Sequence, residues 1–255
     1  MIFVTGDIHS KPFPRLNVDS FYEQKNTKQE EDFVIICGDF GLVWDKDGES
    51  PYEKHNLDDL EKRPFTTLFC DGNHENFDRL DAYPVEEWHG GKVHKIRPHV
   101  IHLMRGQIYD ICGKSFFVFG GARSHDIRDG VLEKDDPRLP KWQKDIFKMF
   151  RINHVSWWEQ EMPSKSEMLE GLKNLESHDS KVDFIITHEM PTECLTLYCA
   201  LHKSAGFYKP DELNDYLEGI RTSVEYSKWF CGHYHESKQI TEKDIVVLDQ
   251  IIRIV

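Results

Sequence analysis

The chain has 255 residues and a formal net charge of −13, with 30% charged and 39% hydrophobic residues. This balance excludes an intrinsically disordered chain, and the length allows a sizeable hydrophobic core. The negative charge is spread along the chain and disfavours the wrapping of a long nucleic acid, because polyanions are repelled. A small phosphorylated ligand fits this charge better.

The cysteine and apolar patterns bear on location. The six cysteines contain no C-x-x-C pair, and three of them lie inside short apolar runs. Free, buried thiols are typical of a reducing compartment. The apolar run before Asp7 is too short for the core of a signal peptide, and no stretch approaches the roughly 18 apolar residues of a membrane span. We therefore expect a cytoplasmic protein without a membrane segment.

Short apolar runs rich in β-branched or aromatic residues predict buried strands. In chain order these runs are residues 2–4, 33–37, 66–70, 116–119, 184–187, 229–231 and 245–248. Helices are predicted over 164–177, where Ser164 and Glu167 have capping-box spacing, and over 211–226. The stretch 100–119, turning at residues 112–114, predicts antiparallel pairing. The alternation predicts an α/β fold, and the absence of linkers and repeats predicts a single domain over 1–255.

Five polar islands follow or interrupt these elements. They are Asp7-Ile8-His9, Gly38-Asp39, Gly72-Asn73-His74-Glu75, His188, and Gly232-His233-Tyr234-His235. Most follow directly after a predicted strand, which is where open α/β sheets place their sites. Residues two apart on an extended chain point the same way, so each D-x-H or H-x-H pair can face one ion. Carboxylate, amide and imidazole ligands without thiolates predict two neighbouring divalent cations and phosphoester chemistry.

These islands resemble the pattern of the calcineurin-like metallophosphoesterase superfamily, which is D-x-H, G-D, G-N-H-D/E, H and G-H-x-H. The resemblance extends from residue 7 to residue 235. It implies a four-layer α/β/β/α sandwich, in which two mixed β-sheets pack face to face with helices on both outer sides. The implied ligands are Asp7, His9, Asp39 and His235 for a first metal, and Asp39, Asn73, His188 and His233 for a second. Asp39 would bridge the two metals.

The implied activity is metal-dependent hydrolysis of a phosphomonoester or phosphodiester. Two cations roughly 3.5–4 Å apart bind phosphoryl oxygens and acidify a bridging water for in-line attack. No serine or cysteine nucleophile motif is then needed. By the family pattern His74 is not a ligand but protonates the leaving oxygen, a role that typically contributes about 10²–10⁴-fold. Mn²⁺ is the favoured metal, and Fe, Ni and Zn also suit these ligands.

The second island departs from many relatives, which read G-D-x-x-D-R-G. Here Leu42 replaces the aspartate that orients the acid histidine, and the phosphate-binding arginine is missing. This departure argues against a phosphoprotein phosphatase or a dinucleoside tetraphosphatase of that subgroup. Asp45 or Asp71 is a candidate to orient His74, whereas Glu75 is expected to favour the first turn of a following helix.

Three further features remain open from the sequence. Arg123 is a candidate phosphate ligand because its guanidinium fork matches phosphate, although a surface arginine in a glycine turn is the alternative. His125, close by, is a weaker candidate. The charged segment 126–150 is either a lid or an ordinary solvated loop.

The favoured substrate is small or nucleotide-like, and the sequence does not indicate an oligomeric state. Two alternatives share the same residues. A nuclease would use the same metals, but no basic track for a nucleic-acid backbone stands out. A non-catalytic scaffold of the same fold would tend to have lost His74 or a ligand, and none is lost here.

Overall fold

The computed structural model describes residues 1–13, 15–202 and 208–255. The described chain forms a seven-stranded sheet, a six-stranded sheet and a small two-stranded sheet. The strands are β1 (Ile2–Thr5), β2 (Phe33–Ile36), β3 (Thr66–Phe69), β4 (Val85–Trp88), β5 (Gly91–Arg97), β6 (Val100–Leu103), β7 (Gln107–Ile111), β8 (Lys114–Phe119), β9 (Gly130–Leu132), β10 (Phe150–Ile152), β11 (Phe184–Thr187), β12 (Lys228–Cys231), β13 (Lys238–Gln239), β14 (Asp244–Val246) and β15 (Ile252–Arg253). The α-helices are α1 (Pro51–Glu61), α2 (Phe77–Leu80), α3 (Leu139–Trp142), α4 (Lys165–Ser177), α5 (Thr192–His202) and α6 (Glu212–Ser223).

The two large sheets each contain a parallel core flanked by antiparallel strands. The first sheet has the order β15-β1-β2-β3-β6-β5-β4, with β1, β2, β3 and β6 parallel. The second has the order β13-β14-β12-β11-β8-β7, with β14, β12, β11 and β8 parallel. The central strands are buried on both faces, which explains why their sequences are continuous apolar runs and not alternating ones.

Three hydrophobic clusters define the layers. One cluster lies between the sheets and includes Ile35 and Leu68 of the first sheet with Phe116 and Val118 of the second. A second cluster packs the outer face of the second sheet against α4, α5 and α6, and a third packs the outer face of the first sheet against α1 and α2. The layer order is therefore α/β/β/α, which confirms the predicted sandwich.

Local sequence signals position the helices as predicted. Helix α4 begins after Ser164, whose side chain accepts from the Glu167 backbone N–H while Glu167 reaches back to the Ser164 N–H. Helix α6 begins after Asp211, which makes a similar reciprocal pair with Asn214. Each arrangement satisfies backbone donors that a helix start would otherwise leave without partners.

The predicted antiparallel stretch 100–119 is only partly correct. The hairpin consists of β7 and β8 and turns at Cys112 and Gly113, both at positive φ. Strand β6 instead belongs to the other sheet, between β3 and β5. The short connection over residues 104–106 crosses from one sheet to the other, and strand pattern alone does not show such a crossing.

The segment 126–150 is more ordered than a solvated loop. It contains β9 and α3, and β9 pairs in parallel with β10. Just beyond the segment, His154 Nδ1 lies 2.8 Å from a carboxylate oxygen of Asp78, and Trp158 Nε1 donates to the same carboxylate over 2.8 Å. Asp78 lies in α2, directly after the third polar island, so this part of the chain is fixed beside that island. In the described residues, no helix has the length and apolar character needed to cross a membrane.

Candidate metal centre

The five polar islands meet at one end of the sandwich. Each follows the carboxyl end of a parallel strand, namely β1, β2, β3, β11 and β12. The first sheet contributes three islands and the second contributes two. Two hydrogen bonds join the sheets here: His188 Nδ1 donates to the Cys37 carbonyl over 2.8 Å, and the His233 N–H donates to Asp7 Oδ1 over 3.0 Å. Residues up to 226 positions apart are thereby brought together.

The first group of donor atoms consists of Asp7, His9, Asp39 and His235. One ligand atom from each of these residues lies within 4.8 Å of the others. His9 Nε2 is 2.8 Å from His235 Nε2 and 3.6 Å from Asp39 Oδ2, and His235 Nε2 is 3.5 Å from Asp7 Oδ2. Four nitrogen and oxygen donors at this spacing can surround one cation.

A second group of donors adjoins the first through Asp39. His188 Nε2 lies 3.3 Å from Asp39 Oδ1 and 3.2 Å from His233 Nδ1. Because a carbonyl only accepts, the proton of the His188 Nδ1–Cys37 bond resides on Nδ1, which leaves Nε2 free to act as a ligand. The Asp39 carboxylate therefore has one oxygen near each group.

Asn73, the remaining residue that the family pattern assigns to the second group, provides a test of whether a cation fits. Its Nδ2 donates to Ser124 Oγ over 3.3 Å, which fixes the orientation of the amide. Its Oδ1 is buried and has no hydrogen-bond partner within the described chain. A buried acceptor without a donor is costly, so this oxygen is suited to a metal ion. The residues present thus fit a pair of divalent cations.

Close backbone approach explains the glycines of the islands. A Cβ on Gly72 would lie 2.1 Å from Asp39 Oδ1, and a Cβ on Gly232 would lie 2.2 Å from Asp7 Oδ1. Four of the candidate ligands have positive φ: His9 at 43°, Asp39 at 47°, His233 at 71° and His235 at 50°. Residues other than glycine rarely adopt a positive φ, and such backbone strain is concentrated at functional sites.

Burial and neighbouring charges shift the pKa values of two residues in the centre. Burial, together with the neighbouring Asp39 charge, raises the pKa of Asp7 to about 6 despite the nearby His188. Burial also disfavours a charged His188, yet Asp39 and Asp7 raise the pKa of this imidazole to about 10. The added proton would sit on Nε2, which lies 3.3 Å from Asp39 Oδ1. A bound divalent cation supplies the same positive charge at that position and takes the place of the proton.

His74 lies at the edge of the centre and is held by packing and by its main chain. Its backbone N–H donates to Asp39 Oδ1 over 2.9 Å, and its ring packs edge-on against His9 and is stacked on Trp44. Burial lowers the pKa of His74, and the charge of Asp39 opposes this effect.

Neither carboxylate expected to orient His74 is hydrogen-bonded to it among the described residues. Asp71 is buried and accepts from Arg105 Nε over 2.9 Å, and its other oxygen lies 3.1 Å from His102 Nε2. The charge of Asp126 does raise the pKa of His74, while that of Arg151 lowers it. Asp126 and Arg151 form an ion pair, with Arg151 Nε 2.9 Å from Asp126 Oδ1. Asp126 is thus a carboxylate outside the ligand set whose charge acts on His74.

The sequence favoured Arg123 over His125 as a site residue. In the structure it is His125 that contacts a candidate ligand. Arg123 is half-exposed, and its Nε donates to Asp211 Oδ2 over 2.9 Å at the start of α6. His125 Nε2 instead lies 2.6 Å from His233 Nε2, and with Glu189 these imidazoles form a further group of possible ligands. Arg123 remains a prediction as a substrate ligand.

Glu75 has a role that the sequence did not indicate. It is fully buried, and its carboxylate accepts from the Phe40 N–H over 2.7 Å and the Gly41 N–H over 3.1 Å. The helix after the third island is capped by Asn76, and not by Glu75. Glu75 therefore joins the second and third islands, alongside the bond from the His74 N–H to Asp39. No local signal identifies this function, because its partners lie 34 and 35 residues away.

The fold and the adjoining donor groups define a class, that of metal-dependent phosphoric ester hydrolases. The chain belongs to the calcineurin-like phosphoesterase family, whose model matches residues 1–237. No curated protein matches the chain. Family membership makes the protein an enzyme that depends on a dinuclear metal centre and acts on a phosphorylated substrate.

Proposed function

We propose that this protein is a dinuclear, Mn²⁺-dependent phosphoesterase that hydrolyses a small phosphomonoester or phosphodiester, with nucleotide-like compounds as the favoured class. The observation that carries this proposal is the pair of donor groups that share Asp39. The proposed ligands are Asp7, His9, Asp39 and His235 for the first ion, and Asp39, Asn73, His188 and His233 for the second. The mixture of imidazole, carboxylate and amide donors supports Mn²⁺, although Fe, Ni and Zn suit the same donors.

Each side chain of the centre has its own role in this proposal. Bound divalent cations neutralise phosphoryl oxygens and supply an activated water at neutral pH. Asp39 and Asp7, both almost fully buried, provide the negative charge that retains the cations. The His188 Nδ1–Cys37 bond fixes the ring so that Nε2 faces the centre. His74 holds a proton near the departing ester oxygen and donates it as the bond breaks.

Two further parts of the proposal concern the whole chain. The six cysteines, none of which forms a disulfide, support a cytoplasmic location. The hydrophobic cluster shared by both sheets supports a single domain over residues 1–255. A net charge of −13 supports small substrates over long nucleic acid and speaks against the nuclease alternative.

The test of the proposed function measures metal content and hydrolysis together. Protein loaded with Mn²⁺ is expected to bind two ions per chain and to hydrolyse p-nitrophenyl phosphate, its bis ester, or both. Asp39→Ala should lose both ions and all activity, because this carboxylate faces both donor groups. His235→Ala should also abolish activity, with a weakened first site. His55→Ala, which alters an exposed histidine on α1, is the matched control and should behave as wild type. Wild-type protein that binds two ions but hydrolyses neither ester would refute the proposal.

A further inference from the structure

A large open cavity adjoins the first donor group. Its volume is about 920 Å³, within the range of small-molecule sites. Asp7, His9 and His235 line one side, and Phe13, Phe21 and Tyr22 line another. A phosphoryl group at the metal centre could therefore carry an organic group that extends into this cavity without crossing protein.

Two of the three aromatic rings that line the cavity are exposed, whereas Phe21 is buried. Tyr22 is 66% exposed and Phe13 is 37% exposed. Each ring has a cation over it, since Lys25 Nζ is 4.1 Å from the Tyr22 centroid and Arg63 Cζ is 4.6 Å from that of Phe13. Within the described chain no other aromatic ring packs against either of them. The cations thus support both rings, and each ring keeps exposed surface on which a planar group can stack.

Charged groups around the rings make the cavity unlike a site for a purely apolar molecule. Lys11, two residues after His9, makes no ion pair or side-chain hydrogen bond within the described residues, and Glu23 makes none either. Arg15 is already engaged, with Nη1 donating to the Gly6 carbonyl over 2.7 Å and Nη2 pairing with Asp249 at 3.0 Å. A free ammonium suits a phosphate, and a free carboxylate suits hydroxyl or amino donors.

We infer that this cavity binds the nucleoside part of a nucleotide substrate, with the base stacked on Tyr22 and a non-reacting phosphate paired with Lys11. Nucleoside diphosphates combine the three features that the walls match: a planar base, donor hydroxyls and more than one phosphate. A phospholipid lacks the base, and a sugar phosphate lacks a group to stack. This inference rests on the proposed function, because it assigns the organic part of the ester.

The first experiment measures binding of a ligand whose P–C–P bridge resists hydrolysis. Mn²⁺-loaded protein is titrated calorimetrically with adenosine 5′-(α,β-methylene)diphosphate and with methylenediphosphonate, which lacks the nucleoside. Wild-type protein is expected to prefer the nucleoside-bearing compound. Tyr22→Ala should reduce this preference about tenfold, in line with base–aromatic stacking, and Tyr22→Phe should restore it. Phe147→Ala removes a ring that is 78% exposed but does not line the cavity, and it should leave the preference unchanged.

The second measurement concerns the cation. Lys11→Ala should weaken binding of the adenosine analogue several-fold, whereas Lys173→Ala, on the exposed face of α4, should not. An unchanged preference in Tyr22→Ala, or equal losses for both compounds, would overturn the inference. If wild-type protein binds the analogue through Tyr22 but hydrolyses no phosphoester, the proposed function fails and this site stands. If it hydrolyses p-nitrophenyl esters without any preference for the nucleoside, only this inference fails.

Discussion

His74 is the residue whose surroundings say most about the chemistry of the centre. Its backbone N–H is bound to Asp39, so the loop that carries it moves with the shared carboxylate. Its ring lies against His9 and Trp44, with centroid distances of 5.0 Å and 5.9 Å. Packing alone restricts the ring to an orientation beside the first donor group, even though no carboxylate is hydrogen-bonded to it in the described structure. Leu42, which replaces the usual aspartate, is fully buried and contributes to the core beneath.

His74→Asn separates the acid role from a structural one. A protonated imidazole matters most when the departing oxygen is a poor leaving group, so hydrolysis of an alkyl phosphate should fall by about 10²–10⁴-fold. Hydrolysis of p-nitrophenyl phosphate should fall much less, because p-nitrophenolate leaves without assistance. The measurement is kcat on both esters at equal Mn²⁺ content, with His55→Asn as the control. Equal losses on the two esters would show that the His74 ring acts in another way, for example by packing against His9.

The strand ends are the elements that the sequence predicted best. Buried strands such as β2 and β11 are continuous apolar runs, and the polar residue that follows each run marks its exit. Both signals are local, so the positions of the candidate ligands could be predicted without knowledge of the partners. The sheet to which β6 belongs could not be predicted, because the strand pattern does not show which of the two sheets it joins. The contacts of Glu75 and His125 could not be predicted either, since they join residues that are far apart in sequence.

The pairing of β5 with β6 places two buried histidines opposite each other. His94 and His102 are register partners, and their Nδ1 atoms are 3.2 Å apart. His102 in turn contacts Asp71, and Arg105 binds the same carboxylate. His94 lines a cavity of about 570 Å³ and is only 3% exposed. Burial, reinforced by His102, lowers the pKa of His94 to about 4.

This pairing predicts a loss of stability in mild acid. The unfolded chain takes up a proton on His94 near its ordinary pKa of about 6.5, whereas the folded chain does so only near 4. The contribution of neutral His94 to the stability of the folded state is therefore complete above about pH 6.5. It is lost as the pH falls towards 4. His94→Gln should remove about 1–2 kcal/mol of that pH dependence, allowing for screening by water in the cavity. Urea unfolding at several pH values measures it, with His178→Gln, an exposed histidine, as the control. Parallel curves for wild type and His94→Gln would contradict the argument.

The molecule as a whole combines a strongly negative surface with a buried centre that requires positive charge. The net charge of −13 opposes the approach of any polyanion, whereas two bound divalent cations make the centre locally positive. Small phosphate esters can reach the centre with little long-range repulsion. A long nucleic acid would instead place many phosphates against the negative surface, which would repel them. This balance favours the small substrates inferred from the cavity beside the first donor group.

The same architecture determines which thiols can react. Five of the six cysteines are buried, and only Cys112, at the turn between β7 and β8, is exposed. Burial raises the pKa of Cys37, Cys70 and Cys231 well above the usual range, so these groups resist conversion to the reactive thiolate. The folded protein should therefore release about one equivalent of thionitrobenzoate rapidly from Ellman's reagent, and six after denaturation without a reductant. Cys112→Ser should remove the rapid phase, and Cys194→Ser should not. Two or more rapidly reacting thiols in the folded protein would mean that buried cysteines become exposed far more readily than the packed sandwich implies.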